Sequence, residues 1–108
     1  MKQPFVWTLP NDGSGYTEIM KPPRAVTMRS GLVRLEPGRD VGLHSTEGNE
    51  EMLVVLEGQG ALECEGCARL GVAGGQIAYV PPHTRHNVFN RGPGPLRYIY
   101  VVSRAPED

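Results

Sequence analysis

Aromatic residues make up only 6% of this 108-residue chain, and it has two cysteines and three histidines. Long apolar runs are missing as well. The longest, Met52 to Leu56 and Tyr98 to Val102, have five residues each, against the roughly 20 that a membrane-spanning helix needs. No membrane partner is expected. The N-terminal segment offers one lysine and a short apolar stretch before Pro10, which is not the pattern of a secretory signal, so the cytoplasm is the expected location. An excess of one charge is also absent. Eleven basic side chains stand against 12 acidic ones, for a net charge of −1, and the arginines and lysines are scattered rather than clustered. A nucleic-acid footprint is therefore not expected. Chain-breaking residues, in contrast, are plentiful, with 14 glycines and 10 prolines, and the longest stretch free of both runs from Leu96 to Ala105. Helix bundles and doubly wound sheets need several uninterrupted runs of about 10–15 residues. The composition thus predicts an all-β chain, and at this length one core is feasible without disulfide or metal staples.

Short β-type runs recur between turn signals: Val26–Ser30, Leu32–Glu36, Met52–Glu57, Ala61–Cys64, Ala68–Leu70, Gln76–Val80, Asn87–Asn90 and Leu96–Val102. Pro37-Gly38, Gly48-Asn49, Glu57-Gly58, Glu65-Gly66, Gly74-Gly75 and Pro81-Pro82 separate them with residues suited to chain reversal. This rhythm is that of a small barrel or sandwich. Met52–Leu56 has no polar alternation and reads as a strand buried on both faces. Tyr98–Val102 reads as the closing strand, although periodicity alone leaves a short helical turn open. The first 25 residues read as a peripheral arm, with Phe5, Trp7 and Tyr16 as candidate anchors.

The three histidines, at 44, 83 and 86, sit beside turns rather than inside apolar runs. Residues two apart on a strand share a face, so His44 goes with Thr46, Glu51 with Leu53 and Val55, and His86 with Val88 and Asn90. If these faces line one barrel interior, His44, Glu51 and His86 converge. Two imidazoles and one carboxylate suit a divalent transition metal with positions left open for water or substrate. Glu47 and Glu50 are alternatives to Glu51 should the turn slip by a residue. Arg34, Arg85 and Arg97 are candidates for attracting an anionic ligand to the mouth.

The spacing of these residues resembles the cupin family. Its first motif reads Gly, five residues, His-x-His, three or four residues, Glu, six residues, Gly. Here Gly38 is followed after five residues by His44, four residues separate Thr46 from Glu51, and six separate Glu51 from Gly58. The second motif reads Gly, five residues, Pro-x-Gly, two residues, His, three residues, Asn. This chain has Gly75, then Pro81, Pro82 and His83, then His86 and Asn90. The chain departs from the pattern twice, with Thr46 at the second histidine and His83 at the glycine.

The resemblance implies a double-stranded β-helix (jelly-roll) barrel forming one domain over residues 1–108, with the arm at 1–25 and the barrel at 26–102. It also implies one divalent ion (Fe, Mn, Ni or Zn) on His44, Glu51 and His86, a small-molecule ligand or substrate, and a homodimer with the arm packed across a second subunit. Thr46 and His83 are possible further site contacts, and Asn90 suits a structural role at a strand end. Members with such a site include dioxygenases, isomerases and decarboxylases. The competing expectation is a non-catalytic small-molecule binding module that uses the same cavity.

Cys64-Glu65-Gly66-Cys67 has C-x-x-C spacing, but it lacks the second ligand pair of a zinc site and the helix N-terminus of a thioredoxin-type motif. It reads instead as a two-residue hairpin tip, with two reduced thiols facing each other across the ladder at about 5.5 Å between Cα atoms.

Overall fold

Nine strands build the described part of the chain, residues 2–106 of a computed structural model. They are β1 (Tyr16–Met20), β2 (Arg29–Leu35), β3 (His44–Ser45), β4 (Asn49–Glu57), β5 (Gln59–Cys64), β6 (Leu70–Ala73), β7 (Ile77–Val80), β8 (Arg85–Asn90) and β9 (Leu96–Arg104). Two antiparallel sheets result, one in the order β1-β2-β9-β4-β7 and the other in the order β3-β8-β5-β6. Among the described residues no helix is long and apolar enough to cross a membrane. The expected all-β class holds, and non-sequential strand neighbours such as β2-β9-β4 give the crossovers of a jelly roll.

The core lies between the sheets, where Val33, Leu35, Leu53, Val55, Leu62, Val80, Val88, Leu96 and Tyr98 are buried. Strand alternation produces it. On β4, Glu51, Leu53 and Val55 are buried while Met52 is 38% exposed. Met52–Leu56 is therefore buried on one face, not two as its uniform apolarity predicts, and its other face looks away from the core. On β8 the inward set is His86, Val88 and Asn90, as the period-two reading expects. Asn90 donates to the carbonyls of Leu35 (2.8 Å) and Gly94 (2.9 Å) and accepts from the Gly92 amide (2.9 Å), which pins the Gly-Pro loop before β9.

Three further expectations change. The runs Val26–Ser30 and Leu32–Glu36 do not form two strands, because β2 begins at Arg29 and passes through Gly31. Within the stretch read as an arm, Tyr16–Met20 is itself a strand that pairs with β2. Tyr98–Val102 is fully extended within β9, and β9 lies between β2 and β4 in the middle of its sheet.

The cysteine turn also differs. Cys67 donates its amide to the Cys64 carbonyl at 3.3 Å, and Gly66 at the second central position has φ 83°. A positive φ at that position is type II chemistry, whereas two-residue hairpins need it at the first central position to match the strand twist. The chain therefore runs on to Leu70 before pairing resumes, at Leu62↔Leu70. Cys67 has no ladder partner, and Cys64 pairs with His86 instead. Both thiols are free.

Candidate metal centre

Strand register brings three sequence-nominated residues together. His44 on β3 and His86 on β8 are direct cross-strand partners, so both rings project from the same face of the four-stranded sheet. The rings lie 4.3 Å apart at a 55° tilt. Glu51 approaches from the opposite sheet, where β4 turns its buried face inward, and its Oε1 lies 3.5 Å from His86 Nε2. One ligand atom from each of His44, Glu51 and His86 falls within 4.8 Å of the others.

The tautomers are fixed by the backbone. His44 Nδ1 lies 2.8 Å from the Gly42 carbonyl and His86 Nδ1 lies 3.1 Å from the Thr84 carbonyl. A carbonyl can only accept, so each Nδ1 carries a proton, and in the neutral ring the lone pair then lies on Nε2. This is how metal-binding histidines are commonly oriented by an outer partner. The His86 ring is fully buried, yet its Nε2 has no hydrogen-bond partner. A buried polar atom without a partner is costly and calls for an explanation, and a cation between the two Nε2 atoms and the carboxylate would remove that cost. The donor set, two neutral imidazoles and one carboxylate, fits a divalent transition metal. Burial pulls the His86 pKa down, but the Glu51 carboxylate and the Thr84 carbonyl outweigh it, and the net position is above that of a free imidazole.

The other nominated residues fall elsewhere. The Thr46 hydroxyl donates to the Pro81 carbonyl (2.7 Å) and accepts from the Thr84 amide (3.1 Å). It holds the turn whose Thr84 carbonyl orients His86. His83 is exposed on that same turn at φ 55°, in the left-handed region that favours the glycine of the motif. It borders a separate cleft with Gly48, Asn49, Pro82 and Arg104. Glu47 is exposed at φ 52°, and Glu50 accepts from the Tyr79 hydroxyl at 2.8 Å on the outer face. The arginines do not serve the mouth. Arg34 and Arg97 are partners on the face opposite Val33 and Tyr98, where Arg34 bonds Glu36 and Arg97 bonds the Pro10 carbonyl. Arg85 lies opposite His86 in the pleat and sits 3.7 Å from Glu65.

The sequence reading missed the tyrosines. A cleft of about 510 Å³ opens onto His44 and Glu51, and Val33, Leu35, Val88, Tyr16, Tyr98 and Tyr100 are among its walls. Tyr98 and Tyr100 are two apart on β9, a same-face signal that was available. Burial, with smaller contributions from Glu51 and neighbouring tyrosines, pushes both phenol pKa values upward.

The chain is 29% identical over 70 residues to the oxalate-binding protein of Thermotoga maritima, covering 65% of this chain and 57% of that protein's length. A solved Thermotoga maritima structure, described as a predicted oxalate decarboxylase, is 26% identical with a TM-score of 0.67, covering 71% of this chain and 66% of the other. An RmlC-like cupin family protein with a double-stranded β-helix fold, from Methanocaldococcus jannaschii, superposes with a TM-score of 0.76 at 16% identity, covering 94% and 91% of the two chains. The family described as "Cupin domain" matches residues 31–102, so the chain belongs to the cupin family, with its double-stranded β-helix fold and a His-Glu-His group compatible with a metal ion.

Proposed function

We propose that this protein binds one divalent transition metal, iron, manganese, nickel or zinc, through His44 Nε2, the Glu51 carboxylate and His86 Nε2, and uses it to hold a small oxygen-rich organic acid. The observation that carries this is the fully buried, unpartnered Nε2 of His86, 3.5 Å from Glu51. A metal in this place supplies Lewis-acid polarisation of a coordinated oxygen. The chain supplies the rest. Gly42 and Thr84 fix the imidazole tautomers, Glu51 offsets the positive charge, and Val33, Leu35 and Val88 restrict water around the ligand.

Relatives named for oxalate binding and for predicted oxalate decarboxylation support a small carboxylate as ligand. They also support two outcomes for it. In the first reading the protein is a metal-dependent enzyme of the decarboxylase, dioxygenase or isomerase type. In the second, favoured by the name of the oxalate-binding relative, the ligand is held without turnover. Elemental analysis of the purified protein beside His86→Ala tests their common premise. About one metal per chain, lost in the variant, is expected. Equal metal content in both would overturn the ligand assignment.

The proposed working form is a homodimer in which a second copy covers the outer face of β9, β4 and β7. Two rungs, Val101-Met52-Tyr79 and Ile99-Val54-Ile77, form an uncharged apolar surface there. Ile77 is 66% and Tyr79 57% exposed. A two-fold copy would bring like to like over these rungs, with Glu50, which accepts from the Tyr79 hydroxyl, at the edge of the patch.

A further inference from the structure

The Tyr16 and Tyr100 hydroxyls meet at 2.7 Å across the cleft wall, and the strand between them makes this contact possible. Tyr16 stands on β1 and Tyr100 on β9, while β2 passes between them with Gly31 paired to Tyr100 on one side and to Glu18 on the other. A Cβ on Gly31 would lie 2.7 Å from Tyr100 Cε2, 2.8 Å from Tyr16 Cε1 and 2.9 Å from the Tyr100 hydroxyl. Glycine in a strand interior weakens the strand, and it often marks a close approach of other groups. Here the two rings extend over its bare backbone from either side, stacked at 16° with centroids 6.4 Å apart.

Two hydroxyls carry two protons, and their mutual bond uses one. Among the described residues neither hydroxyl has another hydrogen-bond partner, so the pair retains a donor for a third group. It shares its cleft with His44 and Glu51. Tyr100 pairs with Leu53, two residues along β4 from Glu51, which is a diagonal neighbour within reach of a long side chain. Between the polar groups the walls are apolar, so an anionic oxygen in the cleft has few other donors to meet.

We propose that the Tyr16–Tyr100 hydroxyl pair, seated over Gly31, is a second binding point of this cleft, where it donates a hydrogen bond to the outer carboxylate of a small dicarboxylate held at the His44-Glu51-His86 group. The proposal rests on the metal reading given above and specifies its ligand class. It also gives the N-terminal strand a role in the site, because Tyr16 reaches the cleft only when β1 is paired with β2. Burial, the hydrogen bond to Tyr16 and the nearby carboxylates disfavour the phenolate of Tyr100. The pair acts through the one O–H that its mutual bond leaves over, and Tyr16 and Tyr100 are ligand-positioning residues.

The test is calorimetric titration of the full chain, loaded with whichever of the four metals it binds, using oxalate, malonate and acetate as probes. Wild type is expected to prefer at least one dicarboxylate over acetate. Tyr16→Phe and Tyr100→Phe, which keep the ring and remove only the oxygen, are expected to weaken that dicarboxylate about tenfold or more, the scale of a lost hydrogen bond to a charged oxygen. Acetate affinity and metal content should stay unchanged. Gly31→Ala, which displaces both rings, should reproduce the loss. If the pair only clips β1 to the sheet, the Phe variants will lower thermal stability and leave the dicarboxylate preference intact, which overturns the proposal. A metal-loaded wild type that binds neither dicarboxylate also overturns it while leaving the metal centre standing. A wild type that takes up no metal sinks the metal reading itself, and metal content measured on the same samples separates the two failures.

Discussion

Thr46→Val isolates the clamp behind the proposed metal centre. The replacement keeps the shape of the side chain and removes one hydroxyl, which now donates to the Pro81 carbonyl and accepts from the Thr84 amide. Pro81 is exposed and water can satisfy its carbonyl, but Thr84 is half-buried and its amide has no substitute. Leaving one such donor unpaired costs about 1–3 kcal/mol, with the lower half of that range appropriate to partial burial. For a domain of this size each kcal/mol moves Tm by about 4–8 °C, so a fall of roughly 4–16 °C is expected in the metal-free protein. The effect should reach the metal. The Thr84 carbonyl holds the His86 Nδ1 proton at 3.1 Å, and loosening an outer partner of this kind typically costs 10–100-fold in metal affinity. Calorimetric melts give the first quantity, and competition against a chromophoric chelator gives the second. Stoichiometry at saturating metal should remain one, and Thr46→Ser should restore both values. An unchanged Tm together with an unchanged affinity would refute the clamp. Loss of stoichiometric binding with an intact Tm would instead make the Thr46 oxygen a direct ligand.

Asn90→Ala removes three hydrogen bonds around the Gly92-Pro93-Gly94-Pro95 loop and should cost about 2–4 kcal/mol, measured by urea unfolding, with metal content unchanged. Burial, the Cys67 side chain and its charge raise the Cys64 thiol to about 11. At pH 8 that leaves about 0.1% thiolate, against about a quarter for a free thiol of pKa about 8.5. Iodoacetamide should therefore label the exposed Cys67 at least about tenfold faster than Cys64, read by peptide mass. The sign follows from the direction of the shift: Cys64 should gain reactivity as pH rises towards 11, and equal rates at pH 8 would contradict its packing beside the core. Ile77→Lys with Tyr79→Lys places charge on the outer sheet face and should convert a dimer to a monomer in sedimentation velocity without lowering metal content. A wild type that sediments as a monomer would remove the basis for that dimer surface.

Much of the barrel was legible in local chemistry, because turn residues and period-two alternation are both short-range signals. β8 is the clearest case: His86, Val88 and Asn90 are buried while Arg85 is exposed and Asn87 and Phe89 are half-buried. β4 misled in one respect. Its outer face carries Met52 and Val54, so apolarity on both faces looked like double burial. The feature behind this is the uncharged patch shared with Ile77, Tyr79, Ile99 and Val101, which pairing assembles from three distant segments. β1 escaped because Tyr-Thr-Glu-Ile-Met is short and its pairing is interrupted by a bulge between Glu18 and Met20. Only its partner β2 settles its place.

The candidate site divides in the same way. His44, Glu51 and His86 could be nominated because glycine spacing and strand period act along the chain, and register then brings them within 4.8 Å. The groups that prepare them could not be. Both Nδ1 protons go to backbone carbonyls two residues upstream, at Gly42 and Thr84, and a carbonyl has no side-chain signature to read. Thr46 was visible as a departure from a histidine pattern and as a possible site contact beside His44, whereas its hydroxyl holds the peptide whose carbonyl orients His86. The tyrosine pair required two long-range facts at once, β1 lying against β2 and Gly31 lying between the rings. A residue's own chemistry is thus enough to nominate a metal ligand, whereas the orientation of that ligand and the shape of the cleft around it arise from contacts that exist only after the sheets have closed.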